Sequence, residues 1–389
     1  MPTRHPSEVP FPVPDGESTR PGAILFLSIA AGLGGSTRSL STVLGGMRGR
    51  ATRVLATPAA GKFPRLVREQ GLAEEIISIP KPGARIARRL SRPLAALRIA
   101  RWARTNRGRL LAIHGNGLQE VNLAVAASLV TGVPLVMWIH DYEVSPWTRR
   151  LGPLWGRILR RRPVRWVAVS SLARRLIVEA GLAHAEDVEI VPNPIDPGEF
   201  VDERRRTPRG VPVVGFLGSD ARRKGLHLVP DVDRYLNDDV PFRWALFTGR
   251  GAESDQNVWR RLEALAADRV SFPGKVLNVR EAYAACDIVF CPSLQESFCR
   301  VAAEAMCNGL PVVATDIEPL HELVGDGEAG LLFPPGDAEA AAVALRRLLI
   351  DPALRRTCGE RGRERAANFA PARVVDRLAE LYGSELGGS

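Results

Sequence analysis

A chain of 389 residues is long for one hydrophobic core and natural for two domains, and its 45% hydrophobic content is ordinary for globular domains. Five cysteines, an odd number lying between Cys286 and Cys358, show no metal-ligand spacing; they read as small core fillers in a reducing cytosol, and no zinc or iron site is expected. The formal charge of +10 and pI near 10.0 imply an acidic partner or surface and say nothing about fold.

Residues 1–20, rich in Pro, Ser and charge, are expected to form a disordered tail. An apolar strand over 24–29 follows. A signal peptide is the rival reading of that run, disfavoured by the polar segment before it and the glycine-rich loop that interrupts it. That loop, Gly32-Leu33-Gly34-Gly35, leads into a helix from Ser39 onward, the opening unit of a Rossmann-like half. Strands over 52–56 and 75–79 flank a helix over 64–70. The stretch from Lys81 to Arg109 holds ten basic residues and no acid, interleaved with Leu90, Leu94, Leu97, Ile99 and Trp102. It predicts a basic amphipathic helix split at Pro93. A strand over 110–113 ends in His114, a helix spans 121–130, and a strand over 134–139 ends in His140-Asp141. The apolar run 121–139 raises a transmembrane reading, which Thr131-Gly132-Val133-Pro134 breaks. A second acid-free basic stretch runs from Arg149 to Arg175, with Trp155 and Trp166 inside it. Further alternation (strand 166–170, helix 172–180, strand 188–191) reaches Pro192-Asn193-Pro194-Ile195-Asp196. The charged, Pro- and Gly-containing segment 196–210 marks a domain boundary. Strands over 211–217, 244–247, 270–272 and 287–290 rebuild the pattern, and a last helix covers 372–381.

The stretch CPSLQESFCRVAAEAMCNG, Cys291 to Gly309, organises the second half. A strand ends at Cys291, Ser297 is the expected N-cap of a helix over 298–306, and a second strand follows over 311–314. Strand, helix start and strand place the loop at the carboxyl edge of an open α/β sheet. Glu296 lies just before the helix and Glu304 two turns inside it. The amides of Ser297, Phe298 and Cys299 would face an anion, because a helix N-terminus carries about half a positive charge.

The pair Glu296 and Glu304 within PSLQESFCRVAAEAMCNGLPVVAT resembles the signature of the large retaining glycosyltransferase family with the GT-B fold, which includes phosphatidylinositol mannosyltransferases and polysaccharide-building enzymes. The resemblance spans about residues 22–385 and is strongest over 270–335. It implies an α/β GT-B architecture of two Rossmann-like domains facing each other across a cleft: an acceptor domain over 21–196, a donor domain over 211–370, and a C-terminal helix, 371–386, crossing back to the first. It also implies roles. Glu296 contacts hydroxyls of the donor sugar, and Glu304 the nucleotide ribose. The helix-start residues Ser297, Phe298 and Cys299 meet the diphosphate or sugar, with Ser297 and Cys299 standing where the usual Glu-Gly-Phe-Gly has glycines. Lys224 matches the lysine that neutralises the diphosphate; Ser219 departs from the family pattern, standing where Arg is usual, and Arg222 or Arg223 of the same loop is the candidate to substitute for it. Gly34 and Gly35 lie against the diphosphate or acceptor, and the Lys275-Val276 backbone reads the base. His140 contacts the transferring sugar; His114 and Asp141 stand on the acceptor side. Gly249-Arg250-Gly251 matches a family loop, and Glu322 a structural glutamate.

The expected activity is retaining transfer of a hexosyl-like sugar from a UDP- or GDP-linked donor to a glycan or lipid-linked acceptor, with no bound metal or other cofactor. The enzyme is expected in the cytoplasm, peripheral on the inner face of the plasma membrane, its basic stretches meeting anionic lipid; a solvated helix face inflated by Arg-rich composition and a nucleic-acid patch are the rival readings of those stretches. A nucleotide-sugar epimerase of the same fold, a donor-binding protein without catalysis and a basic nucleic-acid-binding protein remain as alternatives. Nucleic acid is not the expected partner, since no base-stacking aromatic motif is present.

Overall fold

A computed structural model describes residues 22–80, 85–196, 210–236, 240–251, 254–265, 267–274, 279–325 and 327–383. The expected N-terminal tail, most of the boundary segment 196–210, and Lys275 and Val276 lie outside them. The chain forms two compact units, one ending at Pro194 and regaining the chain from Pro371, the other running from Ile195 to Ala370.

Unit 1 alternates β1 (Ala23–Leu27), α1 (Gly35–Gly46), β2 (Thr52–Pro58), α2 (Lys62–Glu69), β3 (Glu75–Ile79), α3 (Arg85–Thr105), β4 (Leu110–Gly115), α4 (Val121–Thr131), β5 (Leu135–Ile139), α5 (Pro146–Leu159), β6 (Val164–Ala168), α6 (Ser171–Glu179) and β7 (Val188–Ile190). Its sheet is parallel, in the order β3-β2-β1-β4-β5-β6-β7, with Leu25 opposite Val54 and Phe26 opposite His114. All five residues of β1 and of β5 are buried. Helices on both faces leave such strands no wet side, which is why they read as unbroken apolar runs.

Unit 2 repeats the design with β8 (Val213–Leu217), α7 (Val229–Leu236), β9 (Arg243–Phe247), α8 (Gln256–Glu263), β10 (Val270–Ser271), α9 (Val279–Ala284), β11 (Ile288–Cys291), α10 (Arg300–Cys307), β12 (Val312–Thr315), α11 (Glu318–Val324), β13 (Gly330–Phe333), α12 (Ala338–Ile350) and α13 (Pro352–Ala366). Its parallel sheet runs β10-β9-β8-β11-β12-β13. Trp244, Phe290 and Phe333 form the middle of the core, the last two rings stacked 5.7 Å apart at 19°. The elements β13, α12 and α13 have no counterpart among the expected ones.

The last helix, α14 (Pro371–Tyr382), belongs to unit 1. It docks on α1 at Gly46, where a β-carbon would fall 2.7 Å from a Val375 methyl, so only glycine fits. Arg377 clasps Glu189 of β7, and Tyr382 reaches His114 of β4.

Three expectations are corrected. α1 starts at Gly35, four residues before Ser39, because Thr37 caps the turn: its Oγ1 accepts the Gly34 N–H at 2.8 Å. α3 runs unbroken through Pro93, so packing against β3 and α4 offsets the one helical hydrogen bond that proline forfeits. α10 begins at Arg300, with Cys299 rather than Ser297 as its N-cap. Residues 296–299 are loop because Cys299 holds φ at 65°, which helical backbone excludes.

Candidate active site

In an open parallel sheet, ligands sit beyond the strand carboxyl ends where strand order reverses. Unit 2 has that reversal between β8 and β11. The loops after these two strands carry Lys224 and Glu296, 72 residues apart in sequence and joined in a salt bridge. Their approach is dictated by glycine. Gly225 has φ of 76°, and a β-carbon there would lie 1.9 Å from the Pro292 carbonyl oxygen. The Leu294 N–H donates to the Arg223 carbonyl at 2.7 Å, and the Arg223 guanidinium reaches the Gln295 carbonyl at 3.5 Å.

Glu296 is 7% exposed, and its Oε1 also accepts the Ser293 hydroxyl at 2.9 Å. Glu304, one helix further in, is 3% exposed and has both oxygens engaged: Oε1 accepts from Arg300 Nε at 3.0 Å and Oε2 from the Tyr283 hydroxyl at 2.7 Å. Phe298 points inward, edge-on to Phe369 at 5.4 Å. Ser297 is half-buried, and Cys299 is buried beside Cys291, which shares a thiol hydrogen bond with it. All five cysteines are free thiols and four are buried, in keeping with core filling. Ser219 is exposed on the loop after β8, and its neighbour Asp220 ties that loop to the next by accepting the Gly251 N–H and the Trp259 indole N–H, both at 3.3 Å.

Unit 1 reverses between β1 and β4. Gly34 and Gly35 are exposed at the start of α1, on a loop braced from behind by Gly61, whose β-carbon would meet the Ala31 oxygen at 2.3 Å. His140 ends β5 half-buried, its ring 4.3 Å from and edge-on to Trp138. Asp141 accepts the Leu118 N–H at 2.8 Å, and the neighbouring Glu120 accepts the Ile29 N–H at 2.9 Å. Burial pushes the Glu120 carboxyl up to about 8, against the pull of that N–H, with the Asp141 charge adding to the rise. Burial likewise raises Asp141. A cavity of about 190 Å³ opens beside them, lined by Ile29, Ser91, Arg92, Gln119 and Asn122.

His114 is a different case. It has no solvent exposure, its Nδ1 lies 2.8 Å from the Tyr382 hydroxyl, and burial lowers its ring to about 3. A side chain sealed under α14 presents nothing to an acceptor; His114 sits as a core residue, a correction to the expected acceptor role.

The structure thus groups Glu296, Lys224, Arg223, Ser297, Phe298, Cys299 and Glu304 in unit 2, and Gly34, Gly35, His140 and Asp141 at the strand ends of unit 1. Arg300, Tyr283 and Ser293 contact the site carboxylates, and Glu120 neighbours Asp141, without standing among the residues the sequence points to. Arg300 was legible, four residues before Glu304 on one helix; Tyr283 comes from another element and carries no local signal.

Comparison with known proteins agrees with this arrangement. Residues 33–199 match the model of Glycosyltransferase Family 4, and residues 199–365 that of Glycosyl transferases group 1. A phosphatidyl-myo-inositol mannosyltransferase of Mycobacterium leprae is 30% identical over 351 residues, covering 86% of this chain and 88% of its own. The lipopolysaccharide core biosynthesis glycosyltransferase LpsE of Rhizobium meliloti is 31% identical over 52% of this chain and 60% of its own. The solved structure of HepE from Anabaena, in complex with UDP and glucose, superposes with a TM-score of 0.76 at 23% identity, covering 92% of this chain and 98% of its own. The GT-B fold is therefore established, and the chain belongs to the retaining family 4, group 1 glycosyltransferases. It is an enzyme that transfers a sugar from a nucleotide-sugar in glycolipid or glycan biosynthesis, which sets aside the epimerase and nucleic-acid readings.

Proposed function

We propose that a UDP- or GDP-linked sugar is seated on unit 2, with Glu304 holding the ribose hydroxyls, Glu296 the hydroxyls of the transferring sugar, and Lys224 the diphosphate. The observation that carries this reading is the convergence of Lys224, Glu296 and the α10 N-terminus at the strand-order reversal. Lys224 and the α10 N-terminus would meet the diphosphate and stabilise the leaving group as its charge grows, so no metal is required of the mechanism. Retention follows from attack on the face the leaving group occupies, the departing phosphate oxygen accepting the acceptor's proton. His140 orients the sugar and Asp141 meets the acceptor. The complexes of HepE with UDP and with UDP-glucose support a uridine donor. A thermal-shift panel of UDP, GDP, ADP and TDP tests the seat: the cognate diphosphate raises the melting temperature, and a flat response to all four defeats the reading.

The acceptor is lipid-linked in this reading, and the enzyme works in the cytoplasm, on the inner face of the plasma membrane. No helix among the described residues is long and apolar enough to cross a membrane, so contact would be peripheral. Support comes from α3, which buries Ala95, Ile99 and Ala103 yet exposes Leu94 (50%) and Leu97 (66%) beside exposed Arg101 and Arg104. Apolar residues rimmed by cations suit an anionic interface, each basic residue contributing about 1 kcal/mol there. The names of the mannosyltransferase and LpsE relatives point the same way. Sedimentation with anionic but not neutral vesicles, weakened by salt and by replacing Leu94, Leu97, Arg101 and Arg104 with Ser, is the expected result. No binding to anionic vesicles at low salt returns the acceptor to solution.

A further inference from the structure

Arg300 is out of place for a residue whose work is stability. It is the first residue of α10, where the helix dipole already puts positive charge, and no acid lies in that first turn. Cys299 supplies no side-chain cap to offset it. Its partner, Glu304, lies four residues toward the C-terminus, so the pair runs cation-first, opposite to the order that the dipole favours. Both side chains are nearly sealed from water, at 10% and 5% exposure. Burying such a pair carries a desolvation penalty that its own attraction barely repays. The Tyr283 hydroxyl already satisfies the second Glu304 oxygen, so a neutral donor would have completed the carboxylate more cheaply than a guanidinium.

The same pattern occurs a few residues away, where Lys224 and Glu296 pair at 18% and 8% exposure. Both carboxylates of the proposed donor seat are therefore neutralised by a cation of that seat. A ligand that offers hydroxyls to the carboxylates and phosphates to the cations can exchange both pairs at once, leaving no buried charge unpaired. A nucleoside diphosphate joined to a sugar has that composition.

We propose that Arg300 is a second diphosphate-binding cation, held by Glu304 in the free enzyme and transferred to the donor phosphates when the ribose hydroxyls take over the Glu304 carboxylate. A guanidinium suits the part because its planar fork meets two phosphate oxygens and is weakly hydrated, so it leaves one anion for another readily. Lys224 and Arg300 then bracket the diphosphate from the β8 loop and from the α10 start. This assignment rests on the donor seat described above.

Calorimetric titration of the full chain with UDP and GDP, and with uridine and guanosine, tests it. Arg300→Met is expected to weaken the bound diphosphate at least tenfold and to leave the matching nucleoside unchanged or tighter, since Glu304 is then unopposed. Arg300→Lys, which keeps the charge, is expected to recover most of the diphosphate affinity and guards against a folding defect in the first variant. Equal diphosphate affinity in wild type and Arg300→Met overturns the proposal while leaving the donor seat intact. So does a loss in diphosphate and nucleoside alike in a folded Arg300→Met, which marks Arg300 as a scaffold for Glu304. If wild type binds neither diphosphate, the donor reading and this inference fall together.

Discussion

The Tyr382 hydroxyl lies 2.8 Å from Nδ1 of His114, joining the last helix to the centre of the first sheet across 268 residues of sequence. Both side chains are buried, so neither finds water if the other is removed. Tyr382→Phe should destabilise unit 1 by about 1–3 kcal/mol, the cost of leaving a buried polar group unsatisfied, seen as a lower thermal midpoint. Because the folded ring is lowered to about 3 from 6.5, the folded state binds fewer protons. Stability from His114 is thus complete above about pH 6.5 and lost as pH falls toward 3.

Glu120 has the opposite sign. Its carboxyl is raised from 4.5 to about 8 in the folded protein, which then binds more protons than the unfolded chain between those values. The stability it contributes is full below about 4.5 and is lost as pH rises through about 8. Glu120→Gln, a neutral mimic that still accepts the Ile29 N–H, should therefore gain on wild type as pH rises. Denaturant midpoints of the two proteins that keep a constant difference from acid to mildly alkaline pH would remove the assignment.

Cys299 is the single non-glycine residue with positive φ among the described residues. Left-handed backbone costs an L-residue roughly 1–2 kcal/mol, and a β-branched side chain more. Cys299→Gly relieves that strain at the loss of a small buried thiol, whereas Cys299→Val adds to it. The expected order of melting temperature is Gly above Val, and a reversed order would show that the loop is set by thiol packing instead.

Glu296 and His140 are assigned to sugar rather than nucleotide. His140→Ala should bind the free nucleoside diphosphate as wild type does, Glu296→Ala at least as tightly because Lys224 loses its carboxylate partner, and both should transfer sugar poorly. Wild-type transfer by either variant strikes that residue from the site. Lys224→Ala should lower both donor affinity and turnover, because the charge it meets grows in the transition state.

The legible parts of this protein were those with a local signature. Apolar runs such as Ile24 to Leu27 and Leu135 to Ile139 announce buried parallel strands, and the spacing of Glu296 and Glu304 announces one loop and one helix. What escaped depends on distant partners. His114 ends a strand as a ligand-contacting histidine would, and only the return of Tyr382 seals it in the core. Ser297 has the chemistry of an N-cap, but the left-handed turn at Cys299 moved the helix start to Arg300. Pro93 reads as a break, yet packing against neighbouring elements carries the helix through it. Unit 2's Tyr283 contact is likewise invisible in sequence, since 21 residues separate it from Glu304.

The proposed donor seat turns on Glu304 holding the ribose. Glu304→Ala should weaken the cognate nucleoside diphosphate by about 1–3 kcal/mol, the range for a hydrogen bond to a charged group. The most direct measurement is a crystal structure with the nucleoside diphosphate that gives the largest thermal shift. The expected map shows both ribose hydroxyls on the Glu304 carboxylate, and phosphates against Lys224 and the start of α10. A nucleotide bound with its ribose elsewhere, Glu304 still clasped by Arg300, would rule out that seat.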